Sequence, residues 1–170
     1  AVAKQPIVEA KEKIVVEPKS PYEIERGKPM PSVNHAFVQK RLVVKLDIKY
    51  ADKYEVLPEL SINVIDRGRV PDIAICDLNI AFKVGEDTVK MDGTPLGVIE
   101  ILSPEQILSE LVEKLADYFQ IGVKSYWLVI PDLRSIYVFD RPQNYEVFTW
   151  RDELTDPILD IQLNLQEIFK

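Results

Sequence analysis

Residues 97–106, Gly-Val-Ile-Glu-Ile-Leu-Ser-Pro-Glu-Gln, join a strand-like run to a helix-start pattern. The run is apolar on both faces apart from Glu100, which is typical of a central strand covered on both sides. Ser103, Pro104 and Gln106 have the spacing of a capping box with proline at the first helical position. We therefore predict that a buried strand runs directly into a helix here.

The predicted helix has one apolar face and a clear end. The residues of that face recur at helical spacing: Ile107, Leu111, Leu115, and Tyr118 or Phe119. Gly122 stands where a C-terminal glycine commonly ends a helix. Strand-like runs follow at residues 125–130, 136–139 and 145–150 and are predicted to form hairpins. Residues 163–169 are predicted to form a short closing helix.

A first helix is predicted upstream, within residues 34–46. Val38, Leu42 and Leu46 recur there at helical intervals, and Ser32 or Asn34 could serve as the N-cap.

Two further apolar runs, at residues 60–65 and 71–76, have the character of strands. With the 97–102 run they make three strands in succession, which suggests an antiparallel meander. The whole order predicts an α/β fold with a central mixed β-sheet flanked by helices. Its core would be αβββαβ, followed by extra C-terminal hairpin strands.

Length and composition favour one domain with its own core, since the chain has 170 residues of which 46% are hydrophobic. Residues 1–21 mix charges with prolines around one strand-like patch at 14–16, so we expect a flexible arm before a single domain at 22–170. No run approaches the roughly 18 apolar residues of a membrane span, and the first residues lack the apolar centre of a signal peptide. We therefore expect a cytoplasmic protein without membrane contact.

The net charge of −7 argues against a broad basic surface for nucleic acid, because Lys and Arg that neutralise phosphates supply most non-specific affinity. A local basic cleft remains compatible with the 21 Lys and Arg residues. The single cysteine, Cys76, lies in an apolar run and is predicted to be a small buried side chain.

Two acids within the predicted strands carry the strongest chemical signal. Glu100 interrupts the central apolar run, and Asp72 directly precedes Ile-Ala-Ile. A buried lone carboxylate is costly unless it is paired with a cation, bound to a metal, or protonated. Two acids on neighbouring strands repel unless a cation lies between them, and an oxygen-rich site suits Mg²⁺ or Mn²⁺.

Another interpretation of the same acids needs no metal. Asp72 could cap a turn after Pro71, and Glu100 could pair with a structural Arg or Lys, such as Arg67 or Arg69. Lys114 lies at the edge of the apolar stripe of the second helix, from which it could reach toward the acids. Alternatively, it is exposed and pairs with Glu110 one turn earlier.

The succession "PDIAICD", "VIEILSPE" and "EKLADYFQIGVKSYWLVIPD" resembles the bacterial Uma-type restriction-endonuclease family, a branch of the PD-(D/E)xK nuclease superfamily. The resemblance covers residues 22–150. It implies a restriction-endonuclease-like fold in which Asp72 and Glu100 are metal ligands. The superfamily lysine stands two residues after the second acid, where this chain has Leu102, so the resemblance implies that Lys114 replaces it from the helix.

The resemblance also implies smaller roles. The backbone carbonyl of Ile101 would be a further metal ligand, and Glu23 matches an N-terminal acid that can lie near the metal. Lys28 stands where many relatives carry another acid. His35 matches a histidine often seen at the start of the first helix, where a packing or helix-terminal role is expected.

The leading hypothesis is therefore a metal-dependent endonuclease that hydrolyses DNA phosphodiester bonds with Mg²⁺ or Mn²⁺. Lys114 would orient the attacking water or help to deprotonate it. The alternative is a catalytically inactive binding or assembly module that keeps the fold. By analogy with restriction-type nucleases that cut two strands with two copies, a homodimer is expected.

Overall fold

The computed structural model describes residues 18–65 and 67–170, and the start of the predicted arm, residues 1–17, lies outside that part. The described helices are α1 (Pro21–Arg26), α2 (Val33–Tyr50) and α3 (Leu108–Gln120). The described strands are β1 (Glu55–Pro58), β2 (Ser61–Val64), β3 (Arg67–Arg69), β4 (Ile73–Cys76), β5 (Lys90–Met91), β6 (Gly97–Ile101), β7 (Ser125–Ile130), β8 (Ser135–Arg141), β9 (Asn144–Thr149), β10 (Glu153–Asp156) and β11 (Ile161–Asn164). Short 3-10 helices occupy Pro131–Leu133 and Leu165–Glu167.

The central sheet is mixed and has six strands in the order β1-β4-β6-β7-β8-β9. Strands β6 and β7 run parallel, whereas the other neighbours in this sheet are antiparallel. The predicted α/β fold with an αβββαβ core and added hairpin strands is confirmed, with α2, β1, β4, β6, α3 and β7 as that core.

Helices cover both faces of this sheet, which explains why β4, β6 and β7 are buried throughout. Helix α2 packs the predicted side chains Val38, Leu42 and Leu46 against one face. Its N-cap is Ser32, whose side chain accepts a hydrogen bond from the backbone of His35 at 3.1 Å.

Helix α3 packs on the opposite face through Leu111, Leu115 and Tyr118. Gly122 follows this helix with φ of +105°, the left-handed conformation that favours glycine. The predicted start at Ser103 is wrong, because Ile107 is extended and the helix begins only at Leu108. The capping pattern closes a turn instead, in which the backbone N–H of Gln106 donates to the carbonyl of Ser103 at 2.9 Å.

The first strand of the predicted meander is also corrected. The strand beside β4 is β1, whereas β2 belongs to a separate three-stranded sheet with β3 and β5. Ile62 and Val64 of β2 alternate with exposed residues and pack in the core on the α3 side. This alternation predicts a half-buried strand but does not indicate which sheet the strand joins.

The predicted closing helix at 163–169 is shortened to a 3-10 turn, because residues 163 and 164 belong to strand β11, which pairs with β10. Ile161 and Leu163 are buried, whereas Gln162 and Asn164 are exposed, so this segment has the two-residue period of a strand. Only the final 3-10 turn at Leu165–Glu167 has helical character.

Cys76 is buried, as predicted, and burial raises the pKa of its thiol to about 11. The thiol is therefore neutral near pH 7 and acts as a core side chain. Within the described part of the chain, no helix combines the length and apolar character needed to cross a bilayer.

Candidate acidic site

Asp72 and Glu100 are directly opposite each other on neighbouring strands. The antiparallel register pairs Ile73 of β4 with Ile99 of β6, and one further step brings Asp72 opposite Glu100. Residues directly opposite in an antiparallel pair project from the same face of the sheet. The side-by-side arrangement that the sequence hypothesis requires is therefore present.

Glu59 extends this row to a third strand. The register of β1 with β4 pairs Pro58 with Ile73, so Glu59 lies opposite Asp72 one step further on. The backbone N–H of Glu59 donates to the carbonyl of Asp72 at 3.2 Å. Glu59 has φ of +58°, an uncommon conformation for a residue with a side chain. Sequence reasoning missed it, since the predicted strand began only at Leu60.

The Asp72 carboxylate is buried and accepts three hydrogen bonds. The Lys28 ammonium lies 2.5 Å from Oδ1, and His35 Nε2 lies 3.1 Å from the same oxygen. The backbone N–H of Ile101 donates to Oδ2 at 2.7 Å. Burial by itself raises the pKa of Asp72, but His35 and Lys28 together outweigh burial and hold the pKa well below its usual range. Asp72 is therefore ionised.

The Glu100 side chain is 1% exposed and only partly satisfied. The Tyr118 hydroxyl donates to Oε1 at 3.0 Å, whereas Oε2 is buried with no hydrogen-bond partner among the described residues. Burial raises the pKa of Glu100, and the charge of Asp72 raises it further. Lys28, Lys114 and the hydrogen bond from Tyr118 lower this pKa but do not cancel the rise. Glu100 thus has one oxygen available to a further cation or proton donor.

Lys28 supplies the positive charge that the two acids share. Its ammonium touches Asp72, and its charge is the strongest influence lowering the pKa of Glu100. The sequence alternative that Arg69 pairs with Glu100 is wrong, because Arg69 donates to Asp117 at 2.7 Å. The side chain of Arg67, the other candidate, lies outside the described part.

Lys114 is buried on the sheet-facing side of α3, together with Leu111 and Tyr118. Glu110 is exposed and no ion pair joins the two in the described structure, so the surface-pair interpretation does not hold. The positive charge of Lys114 also acts to lower the pKa of Glu100. Asp72, Glu100 and the backbone of Ile101 are thus brought together, and Lys114 is buried on the helix that also carries Tyr118, the hydrogen-bond donor to Glu100.

Glu23 does not join them. It lies in α1, where its carboxylate accepts a hydrogen bond from the backbone of Ser20 at 2.6 Å and completes a capping box. These hydrogen bonds with Ser20 lower the pKa of Glu23. Glu23 therefore stabilises the helix that precedes Lys28.

His35 contributes more than its expected packing role. It is 3% exposed, and while Nε2 contacts Asp72, Nδ1 has no partner among the described residues. Gln39, one turn later in α2, donates to the backbone carbonyl of Asp72 at 2.9 Å and to the Glu59 carboxylate at 3.0 Å. Helix α2 therefore positions the acids as well as covering the sheet.

The donor chemistry fits a hard divalent cation, since carboxylate oxygens are its preferred ligands and Glu100 Oε2 is a buried acceptor without a partner. Among the described residues, however, no three His, Cys, Asp or Glu side chains already converge on one point. Asp72 Oδ1 is meanwhile bonded to an ammonium group. A metal would thus bind through Asp72 and Glu100 only with local adjustment of their surroundings.

Comparisons with known proteins agree with this fold. The family model "Uma2: Putative restriction endonuclease" matches residues 16–166. The crystal structure of a "putative nuclease belonging to DUF820" from Anabaena variabilis superposes with a TM-score of 0.72 at 25% sequence identity, over 83% of each chain. No curated protein sequence matches the chain.

Proposed function

Because this chain belongs to the Uma2 restriction-endonuclease family, we propose that it is a metal-dependent endonuclease that hydrolyses DNA phosphodiester bonds. Mg²⁺ or Mn²⁺ is the proposed cofactor, since both prefer oxygen ligands.

One observation carries this proposal. Glu100 Oε2 is buried without a hydrogen-bond partner in the described structure, and the neighbouring strand presents Asp72 directly beside it. An unsatisfied buried carboxylate oxygen costs free energy and is retained most readily where it serves a function. A bound cation would satisfy this oxygen.

Each residue of the site has a proposed role. Asp72, Glu100 and the carbonyl of Ile101 would hold the metal, which, when bound, stabilises the negative charge that develops on the scissile phosphate. Lys114 would donate a hydrogen bond to the attacking water and orient it toward phosphorus. Tyr118 fixes the Glu100 carboxylate through its hydrogen bond to Oε1, which keeps Oε2 directed away from that contact.

The proposed DNA contact needs local positive charge, because the chain is acidic overall. Three cations of α2 have polar partners at the C-terminal part of the described chain: Arg41 with the carbonyl of Ile168, Lys45 with Glu167, and Lys49 with the carbonyl of Gln162. By contrast, Arg134 and Arg151 stack on Trp150, at 4.5 and 4.8 Å from the ring centroid. Arg134 lies shortly after the C-terminal end of β7. Because β6 and β7 run parallel, their C-terminal ends lie at the same end of the sheet, and β6 carries Glu100. These exposed guanidinium groups are suited to phosphates.

The test is cleavage of supercoiled plasmid DNA in Mg²⁺ or Mn²⁺, with and without EDTA. We expect cleavage that EDTA abolishes and that falls by about 100-fold or more in Asp72→Asn and Glu100→Gln, since each removes a charged ligand. Glu113→Gln on the exposed face of α3 is the matched control and should keep full activity. Cleavage that survives both site substitutions would reject the site.

A second function is favoured by the Lys28–Asp72 ion pair. A site that already holds an internal ammonium can remain folded without metal, as expected of an inactive binding or assembly module. Absence of cleavage in the same assay, over a panel of DNA and other phosphodiester substrates, would favour this function.

A homodimer is proposed by analogy with nucleases that cut two strands with two active sites. Sedimentation velocity at micromolar protein concentration would test the dimer, and a single monomeric species would contradict it.

A further inference from the structure

Lys28 is placed at Asp72 by the backbone on both sides of it. Gly27 ends α1 with φ of +67°, and Pro29 follows Lys28 and restricts its backbone to extended conformations. The lysine side chain is 5% exposed, although its partner lies 44 residues later in the sequence. Burying an ammonium at this depth is costly, so its position is a specific feature of the site rather than a chance surface contact.

The ammonium occupies the position that the proposed metal would take on Asp72. Both cations would bind oxygen at short range, since Lys28 Nζ lies 2.5 Å from Oδ1 and Mg²⁺ binds carboxylate oxygens at about 2.1 Å. Two cations bound to the same carboxylate oxygen would repel each other at short range. Lys28 and a metal ion would therefore compete for Oδ1 of Asp72.

The charge of Lys28 also extends beyond Asp72. It acts on Glu100, so one ammonium partly neutralises two adjacent carboxylates that would otherwise repel. Removing this charge would leave Asp72 with His35 and the backbone of Ile101 as its polar partners. The acids would then need an external cation more strongly.

From this geometry we propose that Lys28 is an internal counter-ion that competes with the divalent metal for Asp72 and thereby sets the metal affinity of the site. Lys28 must leave Asp72 before the metal binds there. This inference rests on the proposed metal site, and it makes Lys28 a positioning residue that controls when that site can be loaded.

The test measures Mn²⁺ binding to the full chain by the electron paramagnetic resonance signal of free Mn²⁺, together with the melting temperature with and without Mn²⁺. Lys28→Met removes the charge while keeping most of the side-chain volume, and Lys28→Arg keeps the charge. The matched control is Lys124→Met, which makes the same change in net charge at an exposed position. Lys124 directly precedes β7, at the opposite end of the sheet from Glu100.

We expect Lys28→Met to melt at a lower temperature than the unsubstituted protein without metal and to bind Mn²⁺ about 10-fold or more tightly. Lys28→Arg and Lys124→Met should bind as the unsubstituted protein does. If Lys28→Met does not fold without metal, Lys28→Gln takes its place, because its amide can still donate to Asp72 without the charge.

Tighter binding by the uncharged variants supports the proposal, including the case in which only those variants bind Mn²⁺. Equal or weaker binding by both Lys28→Met and Lys28→Gln overturns the role of Lys28 and leaves the proposed metal site standing. Mn²⁺ binding by none of the proteins overturns this inference and the proposed metal site together.

Discussion

Replacing Asp72 by Asn should destabilise the metal-free protein mainly because the buried Lys28 ammonium loses the carboxylate to which it donates directly. The carboxylate and the ammonium lie 2.5 Å apart at their nearest atoms and are both buried. For charge centres about 3.5 Å apart and an effective dielectric constant near 20, the attraction is about 5 kcal/mol. Breaking a buried pair on one side typically costs about 3 to 5 kcal/mol, so we expect a loss of that size in the free energy of unfolding.

The assay is urea unfolding at pH 7 of four proteins: unsubstituted, Asp72→Asn, Lys28→Met and the double variant. Because the double variant has no unpaired ammonium, it should recover much of the loss and give a coupling energy of about 3 kcal/mol. Additive effects, with coupling below about 0.5 kcal/mol, would refute the reasoning.

The same prediction has a pH dependence. The pKa of Asp72 is lower in the folded state than its ordinary value of 3.8, so its stabilising contribution is present above that pH and is lost as the pH falls below it. The stability difference between the unsubstituted protein and Asp72→Asn should therefore shrink below about pH 4. A difference that stays constant through this range would mean that the carboxylate charge is not the cause.

Three further substitutions test other contacts of the fold by urea unfolding. Partial burial and the charges of Asp72 and Glu100 raise the pKa of Glu59 from 4.5 to about 7, so its stabilising contribution is complete below pH 4.5 and is lost as the pH rises to 7. Glu59→Gln should make the free energy of unfolding less dependent on pH and, allowing for solvent screening, raise it by about 1 kcal/mol at pH 8. If the free energy of unfolding of this variant changes with pH as steeply as that of the unsubstituted protein, the prediction is contradicted. Tyr118→Phe should cost about 1.5 to 3 kcal/mol at pH 8 by removing the hydrogen bond that the Tyr118 hydroxyl donates to Glu100. A loss below about 0.5 kcal/mol would show that this bond contributes little. Asp156→Asn should cost about 2 to 4 kcal/mol, because Asp156 accepts hydrogen bonds from donors that include the Trp127 indole at 2.8 Å. This variant should leave Mn²⁺ binding unchanged. Altered Mn²⁺ binding would mean that damage to the core reaches the acidic site.

Local patterns in the sequence were sufficient for most of the secondary structure. The spacing of Val38, Leu42 and Leu46 predicted α2, and the continuous apolar runs predicted β4, β6 and β7, since periodicity depends on neighbours only a few residues away. The same helical spacing put Lys114 at the edge of the apolar stripe and left open a surface pair with Glu110. The tertiary structure decided that Lys114 is buried. Local patterns failed where the same residues suit either a helix start or a turn. At Ser103 the capping pattern closes a turn.

The amino-acid sequence alone predicted that Asp72 and Glu100 are acids in buried apolar runs, because such acids can be recognised without coordinates. Both side chains are buried, Glu100 within β6 and Asp72 directly before β4. Only the tertiary structure decided that Lys28 and His35 are the partners of Asp72 and that Glu59 continues the row of acids. Those contacts depend on how β1, β4 and the loop before α2 meet in space. Pairing between segments far apart in the chain leaves no periodic signal, since it is fixed by strand register and packing rather than by residue spacing.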